Sequence, residues 1–158
     1  IAHARGDRQA AYNTLQAILE SRLTDISTAN QMGRFLIDLE QWEQAQAVFE
    51  QSLFIYAENP VARDGLAQVC NERDEFESAA EHALEAVNLQ HHFPEAHFHL
   101  GVALRGLERD EDAIAAFETS LALGHDPTAA HLQLASLYRW RDPLRSKQHA
   151  ELAGVPWG

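Results

Sequence analysis

A repeat of 34 residues is the feature that most limits what this 158-residue chain can fold into. When the sequence is compared with itself at this offset, several columns keep the same chemical character. Two adjacent columns hold large apolar and then small residues: Met32, Leu66, Leu100 and Leu134, followed by Gly33, Ala67, Gly101 and Ala135. Three later columns are Ala45, Ala79 and Ala113; Phe49, Ala83 and Phe117; and Ser52, Ala86 and Ser120. A period of this length indicates a stack of similar units.

Within one copy, the apolar spacing is that of two α-helices. Ala113 and Phe117 are four residues apart and therefore lie on one helix face, and the segment 100–107 has the same spacing. A polar, acidic turn separates the two segments, and Gly124 and Pro127 are typical of a helix end. The small residues allow two helices to approach closely, so each unit is predicted to be a packed helix pair.

This pattern is similar to the tetratricopeptide repeat, a 34-residue unit of two helices. The resemblance is carried by Leu100-Gly101, Leu104, Ala113 and Phe117 and by their counterparts in the other copies. It implies an all-α fold: a right-handed α-solenoid of stacked antiparallel helix pairs, without strands. The aromatic residue that precedes the Leu-Gly pair in this family is replaced by Ala29, Arg63, His97 and His131.

The register of the columns divides the chain into repeats. We expect one domain over residues 1–158, with seven to eight helices. Its predicted parts are the second helix of a truncated repeat at 6–23, repeats at 26–59, 60–93 and 94–127, a shortened repeat at 128–154 and a tail at 155–158. The helix at 6–23 lacks its partner, which predicts self-association through its open apolar face. Because the chain opens with Ile1, we expect that it is cut from a longer protein.

Composition excludes several classes of partner. The net charge of −12 disfavours nucleic acid and anionic membrane, both of which attract basic surfaces. No apolar run approaches the roughly 18 residues of a membrane span, and no signal peptide is present. The single cysteine, Cys70, rules out an internal disulfide framework and shares a column with buried apolar positions. These features favour a cytoplasmic protein.

Motifs for metal binding and catalysis are missing from the sequence. Nine histidines are present, but His91 recurs as His125 and His97 as His131, which places them on successive repeats rather than around one point. No His-Glu-x-x-His motif, phosphate-binding glycine loop or nucleophile-elbow serine occurs. The tripeptide at 5–7 spells Arg-Gly-Asp, but it falls at an expected turn. We therefore expect a non-enzymatic protein without cofactor or metal.

The first helices of stacked pairs line the concave face, so their remaining columns predict a groove for a protein or peptide partner. The predicted partner-binding residues are Asn30, Asp64, Phe98 and Leu132; Arg34, Gln68, Val102 and Ser136; and Asn71, Arg105 and Arg139, which share a column with Ile37. Phe98, Val102 and Leu132 form an expected apolar centre. Arg105 and Arg139 lie toward one rim, and acids such as Asp38 and Glu72 lie toward the other. Family members that grip a C-terminal carboxylate carry Lys and Asn in the first two columns, a combination that this chain lacks.

Two functions stay open from the sequence. The first is an interaction or scaffold module that binds a peptide or protein along the groove. The second is an accessory domain of a larger bacterial enzyme, serving packing or oligomerisation. The segments Pro94–Leu104 and Ala129–Trp140 resemble repeats appended to phosphodiesterase-like or sulfotransferase-like enzymes.

Overall fold

The structure, a computed structural model, describes residues 25–156. In this part of the chain it contains eight helices and no strand: α1 (Ile26–Asp38), α2 (Trp42–Ile55), α3 (Pro60–Glu72), α4 (Phe76–Leu89), α5 (Pro94–Gly106), α6 (Asp110–Ala122), α7 (Pro127–Tyr138) and α8 (Pro143–Leu152). Each odd-numbered helix packs on the even-numbered helix that follows it. The helix predicted at 6–23 and the Arg-Gly-Asp tripeptide lie outside the described residues.

Side-chain caps and prolines fix where the first helices begin. Asn59 accepts hydrogen bonds from the backbone N–H groups of Val61 and Ala62, and Asp126 does the same for Thr128. The helices α3, α5 and α7 each start with proline, whose missing N–H needs no partner at that position. The sequence therefore sets the register of each pair through its polar caps.

The turn inside each of the first three pairs has one recurring conformation. Glu40, Asp74 and Glu108 lie 34 residues apart and adopt positive φ angles of 58°, 58° and 59°. The backbone N–H of the following residue donates back to the carbonyl of the last helical turn, as Gln41 does to Leu36. The fourth pair has a shorter turn, in which Asp142 donates to the Tyr138 carbonyl, and α8 begins 33 residues after α6.

Glycines and phenylalanines in the repeat columns pack against each other. The ring of Phe49, on α2, is fully buried against Gly33 of its own repeat and Gly65 of the next. Phe117 packs in the same way on Gly101. A Cβ added at Gly101 would lie 2.8 Å from the Phe117 ring, so this position has no room for a side chain. The alternation of small and large residues thus has a direct packing cause.

Two large apolar clusters form the core. One joins the first pair to α3 around Leu36, Phe49 and Leu66, and the other runs from α3 to α7 around Leu104, Phe117 and Leu134. Buried serines tie the helices together through their hydroxyls, since Ser120 donates to the Pro94 carbonyl and Ser146 to the Ala135 carbonyl, each at 2.8 Å.

The fold predicted from the 34-residue period is confirmed: the described residues form an all-α solenoid of stacked helix pairs. The longest of its helices, α2 and α4, have 14 residues each. None of the helices described has the length and apolar character that a membrane crossing requires.

Candidate functional site

The first helices of successive repeats form one continuous face. Helix α1 contacts α3, and α3 contacts α5, whereas the second helices lie outside them. Arg105 on α5 extends this contact to α7, because its guanidinium donates to Gln133 and, at 3.1 Å, to Ser136. We call the face made by α1, α3, α5 and α7 the groove. Every predicted partner-binding residue lies on these helices or, for Arg139, directly after α7.

Three of the positions expected to face a partner are buried instead. Ile37 belongs to the apolar core, because its side chain packs with the first pair. Asn71 is 9% exposed and its amide donates to the backbone carbonyl of His99 at 2.9 Å. Asp64 is 4% exposed and pairs with the His99 ring. The expectation that these columns are free of packing is wrong at Ile37 and Asn71, because their helix turns face a neighbouring repeat.

Asn30 has a structural task. Its side-chain oxygen accepts a hydrogen bond of 2.8 Å from the amide of Asn59, the residue that caps α3. Asn59 also donates to Ser52 at 2.9 Å. This small network links three helices, so Asn30 holds the repeats together in addition to bordering the groove.

A polar cleft of about 270 Å³ opens where α1, α3 and α5 meet. We call it the acidic cleft; its lining residues are Arg34, Ile37, Asp38, Asp64, Gly65, Gln68, Glu95 and His99. His99 Nδ1 lies 2.6 Å from Asp64 Oδ1, and both side chains are largely buried. The cleft holds three carboxylates from three helices and a single arginine.

Sequence reasoning missed His99 and Glu95 as groove residues. The available signal was the column Gln31, Gly65, His99 and Gln133. Gly65 in this column carries no side chain, which leaves space for a large residue at the equivalent place on the next helix. The repeat register alone did not reveal that His99 would meet Asp64.

The predicted apolar centre is shared between the core and the groove. The Phe98 ring stacks on His125, with 4.5 Å between ring centroids, and lies 5.4 Å from the Phe117 ring. Val102 also packs against the core cluster and is partly buried. Leu132, on α7, is 42% exposed and is the member of this trio that presents most apolar surface.

The C-terminal part of the groove carries arginines and an exposed aromatic ring. Arg139 lies 5.6 Å from the centroid of the Trp140 ring, and Trp140 is 88% exposed. Both border a cleft of about 450 Å³ between α7 and α8, which Pro143 and Pro156 also line. This end can offer apolar and cationic contacts to a partner.

Several histidines are held in the neutral form by their surroundings. Burial lowers the pKa of His125, which is stacked on Phe98. Burial, and then the neighbouring His131 at 2.9 Å, lower the pKa of His149. Burial and then Arg63 lower the pKa of His82. Within residues 25–156, no three His, Cys, Asp or Glu side chains gather in a way that could hold a metal ion.

Cys70 lies in the core, as its column predicted. Burial raises the pKa of its thiol, and Glu75 adds to the shift. A thiol with a raised pKa is a weak nucleophile, so its chemistry is that of a small buried residue.

Comparison with known proteins gives similarity in structure. The chain matches no protein-family model. It matches none of the curated proteins either. Among solved structures, MamA from Desulfovibrio magneticus RS-1, from residue 41 to the end, is 24% identical and has a TM-score of 0.73, covering 94% of this chain and 83% of that one.

Two further structures carry the repeat in their descriptions. The first TPR domain of Spaghetti (RPAP3), bound to the HSP90 peptide SRMEEVD, is 19% identical with a TM-score of 0.67, covering 72% of this chain and 90% of its own. YrrB, a TPR protein described as having an unusual peptide-binding site, is 16% identical with a TM-score of 0.70, covering 88% and 72%. The chain therefore has the tetratricopeptide-repeat fold, as the resemblance implied.

Proposed function

We propose that this chain is a non-catalytic interaction module that binds a peptide or protein along the groove. The observation that carries the proposal is the continuous face of α1, α3, α5 and α7, which combines the acidic cleft with exposed Leu132 and Trp140. Two proteins that share the fold are described with a bound peptide or a peptide-binding site, which supports the same use of the face here.

The two halves of the groove differ in charge. Asp38, Asp64 and Glu95 lie in the part formed by α1, α3 and α5, whereas Arg105 and Arg139 lie toward α7. Leu132 is the apolar anchor, and Phe98 and Val102 support the surface beside it. Arginine suits the recognition of partner carboxylates because its planar fork donates two parallel hydrogen bonds.

The class of partner is a protein or peptide. The net charge of −12 opposes binding to nucleic acid or to anionic membrane. A single, buried cysteine fits a cytoplasmic location, where disulfides are rare.

Self-association is a separate part of the proposal. The sequence at 6–23 has the pattern of a second helix without its partner, and this segment lies outside the described residues. A truncated chain that starts at Asp25 should then stay monomeric at concentrations where the full chain associates. Sedimentation velocity over a concentration series compares the two. Equal behaviour of both chains would count against a role of this segment.

The test of the groove begins with selection of binders from a random 12-residue peptide library on the immobilised chain. A selected peptide is then titrated calorimetrically against Leu132→Ala and against Leu84→Ala. The second variant is a matched control, since Leu84 lies on α4 and is 47% exposed, close to the 42% of Leu132. Loss of a central anchor weakens binding by about 2 kcal/mol or more, which is about thirtyfold.

We expect this loss for Leu132→Ala and an unchanged affinity for Leu84→Ala. Arg105→Ala should weaken binding less and reduce its dependence on salt, because it removes a rim charge. Phe98→Ala should weaken binding more than Arg105→Ala. A selected peptide that loses affinity with Leu84→Ala and keeps it with Leu132→Ala would place the binding surface on the second helices and refute the proposal.

A further inference from the structure

The acidic cleft has a composition that selects one kind of ligand. Its three carboxylates, Asp38, Asp64 and Glu95, come from α1, α3 and α5 and converge on a space of about 270 Å³. Arg34 and His99 are the basic side chains in its lining. With His99 neutral, the lining carries three negative charges and one positive charge, so the cleft attracts a cation.

Asp64 supplies a second and independent observation. Its side chain is only 6% exposed, and its Oδ1 is paired with His99 Nδ1 at 2.6 Å. The other carboxylate oxygen, Oδ2, accepts no hydrogen bond from residues 25–156. A buried acceptor without a partner raises the free energy of the protein, and a donor from a ligand removes this cost. The unpaired oxygen belongs to a residue that lines the cleft.

We propose that the acidic cleft binds a basic side chain, preferably arginine, of the partner that occupies the groove. The inference rests on the proposed function and names the chemistry of one half of the same face. A guanidinium carries five N–H donors and no acceptor, which suits a cleft lined by carboxylates. It is also less strongly hydrated than an ammonium group, so it enters a half-buried site more readily.

This assignment gives the bound partner a direction. The basic side chain lies at α1, α3 and α5, and acidic groups lie near Arg105 and Arg139 at the α7 end. A peptide with the opposite order of charges would place like charges together at both ends, which disfavours it.

The test uses N-acetyl-arginine methylamide as the probe. Its control is N-acetyl-citrulline methylamide, which has nearly the same shape and no charge. Backbone amide shifts of the ¹⁵N-labelled chain are followed during both titrations. We expect saturable shifts at Gly65 and His99 with the arginine compound and none with the citrulline compound. The lysine derivative should bind more weakly than the arginine derivative.

Variants identify the groups that bind. Asp38→Asn combined with Glu95→Gln leaves the Asp64–His99 pair intact and should weaken binding about 2- to 30-fold, the range for loss of two solvent-exposed ion pairs. Glu58→Gln combined with Glu77→Gln makes the same change in net charge on exposed residues outside the cleft and should leave affinity unchanged. Arg34→Gln should strengthen binding, since it removes a like charge.

The outcomes separate this inference from the proposed function. If the selected peptide depends on Leu132 but the arginine probe gives no shifts at Gly65 and His99, the inference is wrong and the groove proposal stands. Equal binding of the citrulline compound also overturns the inference. If the arginine probe binds as expected but no selected peptide depends on Leu132, the cation site is supported and the groove proposal fails. Equal affinity for lysine refutes the preference for arginine and supports a basic side chain.

Discussion

Replacement of Gly101 by alanine tests whether the small column exists for close packing. The added Cβ would lie 2.8 Å from Cδ1 and Cε1 of Phe117 and 2.9 Å from its Cζ, all within a ring that is fully buried. Real Cβ contacts are longer than this, so either the ring or the helix must move. Phe117 cannot leave the core without opening a cavity, because its ring packs in the cluster between α3 and α7.

Two effects of opposite sign determine the change in stability. Alanine in the interior of a helix is more favourable than glycine by about 0.5–1 kcal/mol. Overpacking of a filled core costs about 1–3 kcal/mol. Steric crowding is the larger effect, so Gly101→Ala should lower the free energy of unfolding by about 0.5–2 kcal/mol. Gly101→Leu should be more destabilising, because the larger side chain enters the same space.

A second substitution reverses the sign. Phe117→Leu removes the ring atoms that a Cβ at residue 101 would touch. In that background Gly101→Ala should increase stability by about 0.5–1 kcal/mol, the contribution of helix propensity alone. The coupling between the two changes is then about 1–3 kcal/mol, which is typical of residues in direct contact.

Urea denaturation of the four proteins of this cycle, followed by circular dichroism at 222 nm, measures these differences. Equal slopes of the four transitions are needed for a comparison of midpoints. If Gly101→Ala raises the midpoint in the wild-type background and in the Phe117→Leu background alike, Gly101 has room for a side chain. The packing explanation of the small column would then be refuted.

Two other predictions follow from the buried polar groups. Burial lowers the pKa values of His82, His125 and His149 in the folded chain, so the unfolded chain binds more protons between those values and about 6.5. Their contribution to stability is therefore complete above pH 6.5 and is lost as the pH falls through the lowered values, which urea midpoints from pH 8 to pH 5 will measure; His125→Gln should flatten this profile, and an unchanged slope would contradict the assignment. Asn59→Ala should lower the unfolding free energy by about 2 kcal/mol or more, since it removes a helix cap and leaves the buried Ser52 hydroxyl without its donor. Asp126→Ala, at an exposed cap with one backbone bond, should cost about 0.5–1 kcal/mol, and thermal melts that rank the two in the opposite order would refute this reasoning.

The sequence by itself determined the fold, because every level of local information points the same way. The 34-residue period places Leu66 and Leu100 at equivalent positions, and caps such as Asn59 set where helices begin. The short turn before α8 was also visible, since one residue is missing from the period there. These signals are local in the chain and need no knowledge of which helix lies beside which.

Only the tertiary structure decided the character of the groove. Column arithmetic treats Asn30, Asp64, Phe98 and Leu132 as equivalent, yet they form a cap network, a buried ion pair, a ring stack and an exposed anchor respectively. The differences arise because each side chain meets residues far away in the sequence, such as His99 at 35 positions from Asp64. Repetition fixes where a side chain starts on its helix, and the neighbouring repeat fixes whether it packs, pairs or stays open to a partner.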